Sequence, residues 1–230
     1  MDNASLLKYL LLLLLPGVTV GCVHQLPEHG KPRFIAYETD DLTSRKGFSY
    51  RLLEITDFQA KSLPADYRQD SHNIGALSCI SIRPSKGAKI NIVQSYFQDM
   101  LFYAGTISQL TFEAIFVPGC SWWNQGIVQS REEYVLQHEQ IHFALSELAA
   151  RKLTSEAGYE IKNYLAIGNT YGQIQEEIME KLKSMVRETM EASLEDHTRF
   201  DEDTSMYYDP SVQQKWLEDV LARLGEQDSL

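Results

Sequence analysis

One short run, His138-Glu139-Gln140-Ile141-His142, combines residue types and a spacing that could do chemistry. Histidines four residues apart on a helix differ by about 40° around its axis, so both imidazoles would point the same way and could hold one Zn²⁺. Glu139 would project beside them, where a carboxylate could take a proton from activated water and deliver it to a leaving amine. The run predicts a catalytic zinc site. The alternative is a pair of core histidines satisfied by backbone or carboxylate partners.

The sequence around this run predicts the helix that must carry it. Ser130 and Glu133 form a capping box, so the helix should begin near Ser130. It should continue to about Leu153, because Ala157 and Gly158 break the helical pattern. Both histidines share one stripe of this helix with apolar residues, namely Val135, Leu145 and Ala149. We therefore expect the histidines on the inward face.

The remaining periodicity predicts a sheet first and helices second. Strand-like stretches occur at residues 49–55, 76–82, 89–93 and 110–117. Helical spacing returns at residues 171–197 and 211–224. The order predicts an α+β fold, in which a small and mainly antiparallel sheet at about 33–118 precedes a helical half at about 130–225. We expect residues 33–225 to form a single domain.

The charge balance excludes one large class of partner. The 230 residues include 21 Lys plus Arg and 32 Asp plus Glu, for a formal net charge of −11. A nucleic-acid binder needs a basic footprint that neutralises phosphates, so we expect no nucleic-acid partner.

The N-terminus predicts export. Lys8 is followed by an apolar run from Tyr9 to Leu15 that is too short to span a bilayer and ends among small residues. Residues 1–21 therefore resemble a signal peptide. Cys22 directly follows Gly21, as in a bacterial lipoprotein box, so we expect it to be the lipidated first residue of the mature chain. The expected location is the periplasm or cell envelope, with the protein anchored to a membrane; the alternative is a conventional signal cleaved nearby.

Export changes the interpretation of the two remaining cysteines. An oxidising compartment allows Cys79 and Cys120 to form a disulfide. They accompany the strand-like stretches 76–82 and 111–117, which could be neighbours in one sheet. The alternative is two separate buried thiols, because geometry decides whether they pair.

Several stretches share a pattern that extends beyond the two histidines. They are Ser121-Trp122-Trp123, residues 136–143, Glu147 with residues 150–153, residues 53–59 with Ile55 in place of a Trp, residues 200–204, and Gln213, Gln214 and Trp216. Together they resemble a bacterial family of predicted secreted zinc-dependent proteases, whose domain was formerly of unknown function. The resemblance covers about residues 50–220. It implies a zincin-like fold, a Zn²⁺ cofactor and a protein or peptide substrate.

Two positions depart from the family pattern. Ala144 stands where the family usually has Asp, and Met206 stands where a His is expected. If that His is the third metal ligand in relatives, this chain has lost it, and a Met thioether is a poor zinc ligand. A catalytic zinc site needs three protein ligands and an open position, so another residue must supply the third.

Candidate third ligands lie in the C-terminal half. Asp203 occupies the family's carboxylate position and ranks first, with Asp201 and His197 as rivals. Glu147 lies half a turn away from His138 around the helix. It is better explained by an ion pair with Arg151, four residues on.

Other features have both a functional and a structural interpretation. Trp122 and Trp123 could line a substrate cleft, but at least one is expected to brace the helix against the sheet. Residues 111–117 are the candidate strand edge for an extended peptide. An acidic run is expected to be a solvated surface rather than a calcium site: Glu195, Asp196, Asp201, Glu202 and Asp203.

Together these features predict an exported, lipid-anchored zinc metallopeptidase. His138 and His142 would bind zinc, and Glu139 would act as general base and acid. The alternative is a catalytically inactive envelope lipoprotein that keeps the fold, has a metal site degraded at Met206, and binds a partner.

Overall fold

A computed structural model describes residues 26–27, 31–32, 46–204 and 208–227. The predicted signal segment 1–21, the lipidation site Cys22 and the substituted position Met206 lie outside the described residues. Within the part that the structure describes, no helix is both long and apolar enough to cross a bilayer.

The strands form three small antiparallel sheets. They are β1 (Phe48–Ser49), β2 (Ala76–Leu77), β3 (Ile80–Pro84), β4 (Lys89–Phe97), β5 (Met100–Ser108), β6 (Phe112–Phe116), β7 (Trp122–Trp123) and β8 (Ala166–Gly168). The sheet orders are β1-β6-β3, β2-β7 and β4-β5-β8. Every pairing between these strands is antiparallel.

Three α-helices follow β7 among the described residues, and β8 lies between the first and the second of them. They are α1 (Gln129–Ile161), α2 (Tyr171–Thr204) and α3 (Pro210–Gln227). Helix α1 packs against β6, α2 and α3, so it lies at the centre of the structure. The predicted α+β architecture is confirmed. The zincin-like assignment stays a prediction.

The central helix begins at Gln129, close to the predicted start near Ser130, but its capping and its C-terminal end differ from the prediction. The N-cap residue is Val128, and no side chain caps the first turn, so the predicted capping box does not form. At the other end the helix passes through Ala157 and Gly158 to Ile161. Ala157 and Ile161 are buried in the main core, and this burial outweighs the roughly 1 kcal/mol that a glycine costs inside a helix.

The sheet is also divided differently from the prediction. Of the stretch 49–55 only Ser49 lies in a strand, the two-residue β1, and a 3-10 turn follows at Ile55–Asp57. The stretch 76–82 divides into β2 and the start of β3, which belong to different sheets. Strand β5, which was not predicted, pairs with β4 over nine residues as a long hairpin. The hairpin turn is Gln98–Asp99, where both residues have positive φ, as a type I′ turn requires.

A disulfide joins Cys79 to Cys120, with a Cα–Cα distance of 5.7 Å. Cys79 lies between β2 and β3, and Cys120 ends the 3-10 turn Pro118–Cys120 after β6. Strands β3 and β6 pair directly, so their ends bring the two cysteines together. The pairing that sequence left open is thus present in the structure.

Candidate metal centre

Two helices place the candidate site residues opposite each other. His138 and His142 lie one turn apart on α1. His197, Asp201 and Thr204 follow at spacings of four and three residues on α2, so they share one face of that helix. Helices α1 and α2 pack together, which brings the two sets into contact.

Three donor atoms from these sets converge. Asp201 Oδ1 lies 3.0 Å from His138 Nε2 and 3.0 Å from His142 Nε2, and the two Nε2 atoms are 3.1 Å apart. Zinc binds such nitrogen and oxygen atoms at about 2.0–2.2 Å, and a triangle of this size has a point within that distance of every corner. His138, His142 and Asp201 could therefore hold a metal ion. Two imidazoles and a carboxylate suit Zn²⁺ and also other first-row divalent ions.

The outer nitrogen of each imidazole also meets a residue of α2. His142 Nδ1 lies 2.8 Å from His197 Nδ1, so one of the two nitrogens must carry the hydrogen. His138 Nδ1 lies 3.4 Å from Thr204 Oγ1, a longer and weaker contact. Phe200 is fully buried and packs on both rings, with centroids 4.5 Å from His138 and 5.0 Å from His142. Packing and hydrogen bonds together fix the direction in which the Nε2 atoms point.

The electrostatics of the cluster follow from burial and from its single carboxylate. Burial acts to raise the pKa of Asp201, but the charge of His142 and the hydrogen bonds from both imidazoles hold that pKa well below its usual range. Burial acts to lower the pKa of His142, and the Asp201 carboxylate outweighs it, so the pKa lies above its ordinary value. Burial and repulsion from His142 lower the pKa of His197 to about 3. In the metal-free protein at neutral pH, Asp201 is therefore ionised and His197 is neutral.

A cavity of about 700 Å³ opens beside the cluster. His138, His142 and Asp201 line it, together with Glu139, which is only 6% exposed. The cavity gives small molecules or a chain segment access to these otherwise shielded groups. The Glu139 carboxylate thus lies beside the candidate metal site without being one of its three converging donors.

The third donor is Asp201 rather than Asp203. Asp203 is exposed and accepts a hydrogen bond from Trp216 Nε1 at 3.0 Å, so it does not reach the histidines. Helical geometry explains the difference, because two residues correspond to about 200° around the axis. His197, the other rival, meets the outer nitrogen of His142 and not the donor triangle.

Glu147 has the structural role expected from sequence. Its Oε1 accepts a hydrogen bond from Arg151 Nε at 2.9 Å. Its Oε2 accepts another from the backbone N–H of Ala114 at 3.0 Å. The buried carboxylate therefore ties α1 to β6.

The acidic run is not uniformly a solvated surface. Asp201 is only 5% exposed, whereas its neighbours Glu202 and Asp203 are exposed. The sequence predicted that this helix ends near His197, whereas it continues to Thr204. The shorter predicted helix therefore did not reveal that Asp201 lies on a buried helix face. The spacing 197, 201 and 204, with Phe200 beside it, is the signal in the sequence that could have found the buried face.

Trp123 and residues 111–117, which the sequence offered as parts of a substrate cleft, have structural roles instead. Trp123 is buried in one apolar cluster with Ala114 of β6 and Phe143 of α1, which confirms the bracing role for one of the two tryptophans. The stretch 111–117 is not a free edge, because β6 pairs with β1 on one side and with β3 on the other. Strand β3 ends the sheet order β1-β6-β3, and its Ile80 and Ile82 line the cavity.

Comparison with known proteins adds no relative. No family model, no curated protein and no solved structure matches this chain. The resemblance to secreted zinc-dependent proteases stays a prediction.

Proposed function

We propose that this protein is an exported, lipid-anchored zinc metallopeptidase that hydrolyses peptide bonds. The observation that supports this proposal is the convergence of His138, His142 and Asp201 at 3.0–3.1 Å on the wall of a cavity that Glu139 also lines. Histidines that served only the core would not need an adjoining cavity or a second carboxylate facing it.

The site residues have two proposed roles, metal binding and proton transfer. His138, His142 and Asp201 would hold Zn²⁺, which when bound acts as a Lewis acid that polarises a carbonyl and lowers the pKa of water. Glu139 lies outside the donor triangle, so its carboxylate remains available for protons. It accepts a proton from the attacking water and then donates that proton to the leaving amine.

The apolar part of the cavity wall beside strand β3 supports a peptide as the substrate. Ile80 and Ile82 of this strand line the same cavity as the metal-centre residues. Met190 and Leu194 add apolar surface to the cavity wall, so we propose that a substrate side chain placed there is apolar.

The competing hypothesis, an inactive envelope lipoprotein, was based on Met206. Asp201 supplies a third donor from within the described residues, so the peptidase proposal needs no ligand at position 206. The proposals of export and anchoring depend on residues 1–22 of the sequence. Mass spectrometry of the mature N-terminus tests them, because lipidation would appear on Cys22 and be absent from a Cys22→Ser variant.

The decisive experiment separates metal binding from catalysis. Zinc content and casein or peptide-library cleavage are measured for the parent chain and for Glu139→Gln. We expect Glu139→Gln to keep its zinc and to lose about 10²–10⁴-fold in turnover, as expected for removal of a general base. Glu133→Gln is the matched control, because Glu133 is an exposed glutamate on the same helix. Absence of zinc from the parent, or equal turnover by all three proteins, would contradict the proposal.

A further inference from the structure

The β4–β5 hairpin contains little charge for a chain that is 23% charged. Between Lys89 and Glu113 the only charged residue is Asp99, which lies in the hairpin turn. Surface hairpins usually carry charged side chains, which discourage association at exposed edges. The composition therefore indicates a surface selected for something other than contact with water.

The base of the hairpin is firmly attached to the protein. Strand β8 pairs with Tyr103, Ala104 and Gly105. Helix α2 packs so closely here that a Cβ added at Gly105 would lie 2.3 Å from Ile174 Cγ2. From Tyr103 to Met100 the hairpin extends three further residues, or about 10 Å beyond its last contact with β8.

The tip beyond this base exposes four large side chains. They are Tyr96 (67% exposed), Phe97 (62%), Met100 (64%) and Leu101 (43%). Tyr96 pairs with Leu101 and Phe97 pairs with Met100, so the four residues form the last two cross-strand pairs before the turn. Successive residues of a strand point to opposite faces, which places one pair on each face of the tip. We call these four residues the apolar tip.

The presence of apolar side chains on both faces of the tip favours a bilayer over a protein partner. A protein would have to enclose the apolar tip in a socket to cover both faces, whereas a bilayer surrounds whatever enters it. Interfacial elements bury to a depth of about 5–10 Å, which matches the length of the projecting segment. Tyrosine, as at position 96, is enriched at this level of a membrane, and phenylalanine, as at position 97, is common on the buried face of interfacial helices.

The position of the predicted lipidation site brings a membrane within reach. Cys22 lies four residue steps before Leu26, which is only 4% exposed, so a lipid on Cys22 would hold the membrane within about 14 Å of Leu26. The net charge of −11 opposes attraction to anionic headgroups, so contact with lipid would depend on apolar side chains.

We propose that the apolar tip of the β4–β5 hairpin inserts into the zwitterionic bilayer to which the chain is anchored. The inference rests on the exported, anchored part of the proposed function and not on hydrolysis. The lipid anchor would hold the protein near the membrane, and the apolar tip would fix which side of the body faces it.

The test measures the depth of the apolar tip in the mature chain that begins at lipidated Cys22, reconstituted into phosphatidylcholine vesicles so that attachment does not depend on the tip. Tyr96→Trp places a fluorophore at the tip, and lipids brominated on their acyl chains quench tryptophans that reach the hydrocarbon. We expect loss of the fluorescence that Tyr96→Trp adds to the three native tryptophans.

Leu52→Trp is the matched control. Leu52 is 76% exposed. Its neighbour Leu53 donates its backbone N–H to Gln140, which places Leu52 near position 140 of α1. The hairpin base lies near position 161 instead, because Ile107 packs in the same cluster as Ile161. Positions 140 and 161 are about 30 Å apart along α1, so Leu52 lies well away from the hairpin base. Its added fluorescence should resist quenching. Equal quenching of both variants, or none at position 96, would overturn the proposal.

A second variant separates lipid contact from self-association. Adding Phe97→Thr and Met100→Thr to Tyr96→Trp should reduce the quenching, and the circular dichroism spectrum should stay unchanged because both side chains are exposed. If these substitutions instead convert a dimer to a monomer in sedimentation experiments and leave quenching unaltered, the tip binds a second copy and the bilayer proposal fails. Neither measurement requires zinc or turnover, so a failed peptidase assay leaves this test intact.

Discussion

The candidate metal centre and the apolar tip depart from ordinary protein surfaces in opposite ways. At the centre, polar side chains are withdrawn from water, with His197 9% exposed and Asp201 5% exposed. At the tip, Phe97 and Met100 are apolar and more than 60% exposed. Proteins usually bury apolar groups and expose charged ones, so each region breaks the common pattern. Both departures occur where a function, rather than stability alone, would explain the choice of residue.

The two departures are tolerated for different physical reasons. A buried charge is costly unless it is paired, and Asp201 is paired with both His138 and His142. The centre is therefore interdependent, because removal of one member leaves others unsatisfied. The tip has no such dependence, since its side chains contribute little burial. Substitutions should consequently be severe at the centre and mild at the tip.

The largest expected effect comes from Asp201→Asn. This change removes the carboxylate from the donor triangle while keeping the size of the side chain. We expect zinc affinity to fall by more than the roughly 10–100-fold typical of changes in outer partners of metal ligands. Competition with a chromophoric chelator measures the affinity.

Asp203→Asn is the matched control for this prediction. It makes the same chemical change on the same helix, at an exposed residue that contacts Trp216. Its zinc affinity should equal that of the parent. A larger loss for Asp203→Asn than for Asp201→Asn would restore Asp203 as the ligand and contradict the arrangement described above.

A smaller effect is expected from His197→Phe. The substitution keeps a ring of similar shape but removes the nitrogen that meets His142 Nδ1. Without that partner the tautomer and orientation of His142 are less constrained, so zinc affinity should fall by about 10–100-fold. His197→Asn should recover part of the loss by restoring a polar partner. If Phe changes only the thermal midpoint and not the affinity, His197 is a packing residue and does not position His142.

The sequence predicted one half of the centre much better than the other. His138, Glu139 and His142 lie within five residues of one helix, so helical periodicity alone relates them. Asp201 joins them across 59 residues of chain, through the packing of α2 on α1. No local pattern encodes that docking. The stripe 197, 201 and 204 was concealed because charged neighbours on both sides made the segment resemble a solvated surface.

The hairpin illustrates a second limit of local patterns. Alternation at 89–93 indicated part of β4, but β5 combines exposed Met100 and Leu101 with buried Ile107. Such a strand lacks the regular contrast between faces that identifies strands in a sequence. Its partner strand and the packing of α2 at Gly105 determine its structure instead. The fold class, by contrast, depends only on the order of strands and helices, which periodicity does indicate.

The base of the hairpin should be sensitive to added volume. Gly105→Ala would place a Cβ 2.3 Å from Ile174 Cγ2 and 2.8 Å from Ile178 Cδ1, so helix and hairpin would have to separate. We expect the free energy of unfolding to decrease by about 1–3 kcal/mol, the usual cost of overpacking. Urea denaturation followed by circular dichroism measures it. An unchanged midpoint would mean that the hairpin base is not packed as described.

The smallest effect is expected at the tip, where Met100→Thr replaces an exposed apolar side chain with a polar one that is also favourable in strands. The free energy of unfolding should change by no more than about 0.5 kcal/mol, the usual range for surface substitutions. The same denaturation experiment, run beside Gly105→Ala, makes the comparison within one hairpin. A loss similar to that of Gly105→Ala would mean that Met100 packs against the body of the protein. In that case the apolar tip would serve folding, and its exposure would no longer argue for contact with a membrane.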